Sequence, residues 1–351
     1  MTARAIDLLD RLIATPSLSR QENATADLLE GFLRDNGVSP SRLKNNVWAI
    51  SQNFDRSKPI LMLNSHHDTV RPASGYTIDP FSPLHRDGRI YGLGSNDAGA
   101  SLVSLVETFL RLNSADTGVN LILAATAEEE VSGKSGIEML LAHLRDRDLM
   151  PDMAIVGEPT SLRAATAERG LMVLDCTAHG KSGHAARGEG INAIYSAIAD
   201  IELLRGLKFD KTPAVLGDIK ISVTQIEAGT QHNVIPDRCS FVIDVRTTDA
   251  YTNPEIASLI AQAINSECVP RSTRLNASAI SEDHPLAAAA IRLGAVPFVS
   301  PTLSDRALMR GIPALKIGPG DSARSHTADE FVFEHEISDA IKFYQTLIST
   351  L

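Results

Sequence analysis

Four short apolar runs, each leading into residue types that bind metals, constrain this chain more than any other feature. Ile60–Asn64 leads into His66-His67-Asp68, and Leu121–Thr126 leads into Glu128-Glu129-Glu130. Met153–Gly157 runs into Glu158, and Ala314–Ile317 into a Gly318-Pro319-Gly320 loop that reaches His326. A fifth candidate, Asp97, lies in a glycine-rich turn just before a helical pattern. Open α/β sheets bind ligands in the crevice at the carboxyl ends of their strands. Strands parallel to one another therefore bring residues about 260 positions apart to one spot. Two histidines and several carboxylates gathered there have the chemistry of a metallohydrolase site.

At 351 residues the chain is long for one core, so two domains are expected. Its net charge of -10 argues against a nucleic-acid or anionic-membrane surface, which needs clustered positive charge. Cys176, Cys239 and Cys268 lie far apart with no C-x-x-C pair. They are expected to be buried thiols in a reducing compartment. Ala3–Ala14 spaces its apolar residues helically, with Asp7 and Asp10 between them. That pattern is an amphipathic first helix rather than a signal peptide. No run approaches the ~20 apolar residues of a membrane span, and a cytoplasmic location is the default.

Up to about residue 166, strand-like and helix-like patterns alternate, as in an α/β layer structure. Helical spacing marks Arg4–Ala14, Glu22–Asn36, Gly99–Leu112 and Gly136–Arg145, and Asn46–Ser51 adds a strand. From about 170 the order becomes strand Leu171–Ala178, helix Gly190–Leu207, strands Asp218–Glu227 and Arg238–Thr247, helix Pro254–Glu267 and strand Thr273–Ile280. This β-α-β-β-α-β order is that of a ferredoxin-like unit. Afterwards the α/β style resumes and ends in a helix at Glu334–Thr350. The simplest organisation is a discontinuous α/β domain, 1–167 and 280–351, with a mostly parallel sheet and a smaller domain, 168–279, inserted in it. The ligand candidates fall on both sides of the insertion.

In extended chain His66 and Asp68 share a face and His67 points the opposite way. Asp68 is a natural carboxylate to orient a metal-bound imidazole, although spacing does not settle which histidine binds. Asp97 fits a helix N-cap and equally a carboxylate bridging two metals. The like charges of Glu128-Glu129-Glu130 need a positive partner, and one ligand plus one general base accounts for two of them. Pro159 fixes the turn after Glu158. Gly133-Lys-Ser135 and Gly180-Lys-Ser182 resemble the end of a phosphate-binding loop, but Glu128 and Asp175 stand where its first glycine is required.

With these residues in hand, the chain resembles the acetylornithine deacetylase / succinyl-diaminopimelate desuccinylase family, dinuclear zinc amidohydrolases related to aminoacylase and carboxypeptidase G. The resemblance runs nearly end to end. His66 to Val70 matches H-x-D-T-V, Gly92 to Asp97 matches G-x-G-x-x-D, Thr126 to Glu130 matches T-A-[DE]-E-E, and Gly157 to Thr160 matches G-E-P-T. The resemblance implies a zinc-peptidase-like catalytic domain holding two Zn²⁺ per subunit, with Co²⁺ as a substitute. It implies His66, Asp97 (bridging), Glu130, Glu158 and His326 as ligands, Asp68 as the orienting group and Glu129 as general base. It further implies a homodimer built through the inserted domain, which lends residues to the active site. There Gly180 to His184 resembles the segment whose histidine stabilises the oxyanion. Gly229 to Pro236 resembles G-x-x-x-N-V-I-P and supplies Asn233, and Arg246 stands where an arginine commonly holds the substrate carboxylate. The implied reaction is hydrolysis of the Nα-acyl amide of a small amino acid, N-acetylornithine first and acylcitrulline, acyllysine, succinyl-diaminopimelate or a dipeptide next. An inactive metal-binding scaffold is the alternative of a different class. One departure stands out: the family's usual x-Lys-Gly after the bridging aspartate is Ala98-Gly99-Ala100 here.

Overall fold

The computed structural model describes residues 2–351. Contacts divide the chain into two compact units. The first comprises the chain up to Thr166, Ile280–Phe298 and Ser304–Leu351; the second comprises Ala167–Ala279 and Val299–Leu303.

The sheet of the first unit has at its centre the strands Asn120–Thr126, Ile60–His66, Met153–Val156 and Ala314–Lys316, in that order and all parallel. Asn46–Ile50 pairs antiparallel with Asn120–Thr126 on one flank. On the other, Lys316 pairs antiparallel with Ala165 of strand Ala164–Glu168. Every residue of Ile60–His66 and Asn120–Thr126 is buried, which is why these strands read as unbroken apolar runs rather than alternating ones. Leu61, Leu63, Leu121, Leu123, Ile155 and Leu315 share one face. They form a single core with the apolar sides of helices Ala3–Ile13, Ala100–Leu112 and Glu334–Ser349. Phe109 is fully buried in that core, so Phe109→Ala is expected to cost about 3–5 kcal/mol. Asn64, His66, Thr126, Val156 and Lys316 belong to the opposite face.

The second unit has its own core around Leu174, Phe241, Ile243 and Ile260. Its antiparallel sheet has the order Lys220–Ala228, Arg238–Thr247, Gly170–His179, Glu267–Pro270, and helices Ala193–Gly206 and Asn253–Ala263 complete the β-α-β-β-α-β sequence. Its fourth strand is therefore Glu267–Pro270, not Thr273–Ile280. The backbone N–H groups of Asn265 and Ser266 donate to the buried carboxylate of Asp200, at 3.1 and 2.8 Å. That turn begins the strand inside what reads as a continuing helix. The same register corrects the cysteines. Cys268 lies directly opposite Cys176 on the neighbouring strand, with Cα atoms 4.3 Å apart, and the two form a disulfide. Only Cys239 is a buried free thiol, so the cysteine pattern carries no argument for a reducing compartment. Among the described residues no helix is long and apolar enough to cross a membrane.

Candidate metal centre

The strand Ile60–His66 delivers His66 to the carboxyl end of the sheet at 1% exposure. Its Nδ1–H donates to the backbone oxygen of Asp68 at 3.0 Å, with the Asp68 carboxylate at 3.4 Å. This turns Nε2 toward Asp97 (3.5 Å), Glu129 (3.9 Å) and Glu158 (3.9 Å). Nε2 is buried and has no hydrogen-bond partner. His67 is different. Its Nε2–H donates to the Asn45 carbonyl and its Nδ1 accepts from Thr25, both at 2.9 Å. Burial lowers His67 to about 4, so it is a neutral core histidine with both nitrogens in use.

Asp97 faces both histidines. One carboxylate oxygen lies 3.5 Å from Nε2 of His66 and the other 3.6 Å from Nε2 of His326. The helix that follows has Gly99 at its N-cap and no side-chain cap, so the capping alternative for Asp97 does not apply. Glu330 holds the Asp97 turn from beneath, its carboxylate accepting the N–H groups of Gly94, Asn96 and Asp97 at 2.8–2.9 Å. Burial pushes Glu330 up to about 7 despite those bonds. Asn96 ties the same turn to the His326 loop through the Asp321 backbone and the Ser325 hydroxyl. Glu330→Ala would strand three N–H donors. The expected result is a divalent-metal affinity about 10–100-fold lower by chelator competition; unchanged affinity would contradict this role.

The three consecutive glutamates separate. Asp68 accepts the N–H groups of Glu129 and Glu130 at 3.0 and 3.2 Å and the Ser19 hydroxyl at 2.7 Å. One buried carboxylate thus fixes His66, Glu129 and Glu130 together. Glu130 accepts from Nε2 of His326 at 3.1 Å. Glu128 is directed elsewhere, accepting from the Ser135 N–H. Glu158 is 6% exposed, and burial pushes its carboxyl up to about 8. Burial likewise pushes Glu129 well above the usual glutamate range. Carboxylates crowded in a low-dielectric pocket need cations to stay charged.

Ligand atoms of His66, Asp97 and Glu130 lie within 4.8 Å of one another. The candidate donors group around Asp97: one of its oxygens faces His66, which lies 3.9 Å from Glu158, and the other faces His326, which is hydrogen-bonded to Glu130. An orphaned buried imidazole nitrogen and a carboxylate facing two ways fit two divalent ions sharing Asp97. Three further buried residues carry no sequence motif. Glu330 is one. Asp305 is another, its carboxylate accepting from Thr126 at 2.6 Å and from Asn64 at 3.3 Å, and burial raises it to about 6. Lys316 is the third, at 2% exposure. Each lies beside a recognisable segment, but nothing in that segment's spacing announces its contacts.

His184, Asn233 and Arg246 belong to the second unit. His184 and Val234 are partners in a two-stranded ribbon, and the Ala185 N–H donates to the Asn233 carbonyl at 3.0 Å. The ribbon thus brings His184 and Asn233 together. The His184 side chain is exposed and accepts from the Ala186 N–H. Arg246 forms a two-pronged ion pair with Asp244 at 2.8 and 3.1 Å.

Residues 62–350 match the profile of peptidase family M20/M25/M40. An acetylornithine deacetylase of Edwardsiella ictaluri is 28% identical over 93% of this chain and 92% of its own length. A succinyl-diaminopimelate desuccinylase of Delftia acidovorans is 28% identical over 70% and 68%. The fold is shared with the YXEP protein of Bacillus subtilis, described as a dinuclear metal binding peptidase of the M20 family, at a TM-score of 0.73 and 19% identity over 99% and 98% of the two chains. The chain belongs to the M20/M25/M40 peptidase family and is a hydrolase of amide bonds.

Proposed function

We propose that this protein is a zinc-dependent N-acyl-amino-acid deacylase, with N-acetylornithine as its first substrate and arginine biosynthesis as its setting. The observation that carries the metal reading is the buried, unpartnered Nε2 of His66 facing Asp97, Glu129 and Glu158. The substrate reading is supported by the deacetylase and desuccinylase relatives that align along most of the chain. His66, Asp97 and Glu158 would hold one ion, and Asp97, Glu130 and His326 the other. Oxygen and imidazole ligands without thiolate suit Zn²⁺, and Co²⁺ can replace it. When bound, the two ions acidify a water and polarise the amide carbonyl.

Glu129 is the base. It takes the proton of the attacking water and then delivers it to the leaving amine nitrogen. Asp68 positions it through the backbone and keeps His66 oriented. His184, supplied by a second subunit, donates to the oxyanion. Asn233 and Arg246 bind the substrate, Arg246 exchanging Asp244 for the substrate carboxylate.

Exposed apolar surface supports the reading of a second copy. Helix Ala193–Gly206 exposes Tyr195 (71%) and Ile198 (49%), and the edge strand Lys220–Ala228 exposes Ile226 (54%). Such a face with an open sheet edge suits a two-fold contact. Tyr195→Glu combined with Ile198→Glu is expected to turn a dimer into a monomer in light scattering after gel filtration. A dimer that persists would place the contact elsewhere.

The substrate test is a screen of the zinc-loaded protein against acetyl and succinyl derivatives of ornithine, citrulline, lysine and diaminopimelate, with dipeptides alongside. The highest kcat/KM is expected for N-acetylornithine. A preference for dipeptides would make the protein a peptidase, and hydrolysis of nothing in the panel would overturn the deacylase reading.

A further inference from the structure

Glu22 is a carboxylate at 0% exposure that the reaction above does not use. It stands just before helix Asn23–Asp35, and its two oxygens serve N–H donors from three segments of the chain. Oε2 accepts from the Asn45 side-chain amide at 3.0 Å. Oε1 accepts the backbone N–H of Arg20 and, at 3.3 Å, that of Glu128. Arg20 and Glu128 both have left-handed backbone, with φ of 73° and 59°. A residue with a Cβ keeps that conformation only where its surroundings over-determine it. One oxygen of Glu22 therefore secures two unfavourable backbone positions at once.

The second of these positions matters for chemistry, because the chain reverses at Glu128 just before Glu129 and Glu130. Four successive N–H groups of this turn are accepted by buried side chains. Asn46 takes that of Ala127 at 3.1 Å, Glu22 that of Glu128, and Asp68 those of Glu129 and Glu130. Asn46 grips before the reversal and Asp68 after it; of the three, Glu22 holds the left-handed residue itself. The hold is braced by a closed circuit. Thr25, on the helix that follows Glu22, donates to Nδ1 of His67; Nε2–H of His67 donates to the Asn45 carbonyl; and the Asn45 side chain returns to Glu22. The neutral histidine beside His66 is thus a strut of the same frame.

We propose that Glu22 is a positioning residue for the base: by holding the Glu128 N–H it keeps the turn left-handed and so fixes the direction in which the Glu129 side chain leaves the backbone. The inference rests on the reading of Glu129 as base. Glu130 and His66 are held by Asp68 as well, so the loss of Glu22 falls on the aim of Glu129 more than on the metal donors. A base displaced by about 1 Å loses on the order of 10²-fold in rate. The donor pattern also dictates which replacement works. A glutamine that turns its oxygen toward Arg20 and Glu128 points its NH₂ at the Asn45 NH₂, and Asn45→Asp removes that clash while still accepting from Arg42.

The test compares full-length wild type, Glu22→Ala, Glu22→Gln and the double variant Glu22→Gln/Asn45→Asp. Kinetics on N-acetylornithine are set beside metal content and a crystal structure of each. Glu22→Ala is expected to lower kcat about 10²-fold, with KM and metal content near wild type. Glu22→Gln is expected to lose activity too, and the double variant to recover most of it. In the crystals of Glu22→Ala, Glu128 is expected to leave the left-handed region and the Glu129 carboxylate to move away from His66, with Glu130 still beside His326. Unchanged kcat, an unmoved turn, or kcat and metal content falling in proportion overturns the proposal. So does a double variant no better than Glu22→Gln. If Glu22→Ala fails to fold, the glutamine variants decide; failure of all three to fold makes Glu22 a residue of the fold alone and overturns the assignment. Near-wild-type turnover by Glu129→Gln would refute the base reading instead, and the crystal structures would still show whether Glu22 holds the turn.

Discussion

Glu129→Gln is expected to lower kcat by about 10²–10⁴-fold while leaving metal content at the wild-type level. Glutamine matches glutamate in volume, and the Glu129 N–H still donates to Asp68, so the loop keeps its shape. What is lost is a carboxylate able to accept the proton of water and release it to the departing amine. The side chain lies 3.9 Å from His66, close enough to act on a water held at the centre and outside the ligand set divided by Asp97. Metal analysis and steady-state kinetics on one preparation decide the matter. Near-wild-type turnover would remove Glu129 from the base role, and loss of metal would make it a ligand.

Asp97→Ala is expected to have the other large effect, abolishing activity and reducing bound metal to less than one ion per chain. Its two oxygens face His66 and His326 separately, so under the proposed two-ion reading the substitution would remove a ligand from both positions. Glu130→Ala and Glu158→Ala each touch one position, and each is expected to retain one ion. The fold around Asp97 should survive, because Glu330 grips the backbone of the turn rather than the side chain. If Asp97→Ala and Glu130→Ala retained equal metal, Asp97 would not be shared.

The residues gathered at the candidate centre were readable in sequence because its parts are local. His66 ends, and Glu130 and Glu158 follow, strands that are wholly buried and whose apolar runs announce themselves, and Asp97 and His326 stand in glycine-marked turns. Parallel pairing then does the assembling. What supports the centre was not readable, because it consists of single charges acting across long separations. Glu330 meets the Asp97 turn from 233 residues away, and Asp305 meets Thr126 from 179 away. The cysteines failed for a related reason: Cys176 and Cys268 are 92 residues apart and become neighbours only through strand register. Apolar spacing placed helix Asn253–Ala263 but ran it on to Glu267, since the Asp200 side chain that organises the next turn lies on a different helix.

The most direct test of the central claim is anomalous diffraction from crystals of the zinc-loaded protein. Two peaks are expected, about 3.5–4 Å apart, one beside His66 and Glu158, the other beside Glu130 and His326, with Asp97 between them. A single peak, or a pair that Asp97 does not bridge, would contradict the account.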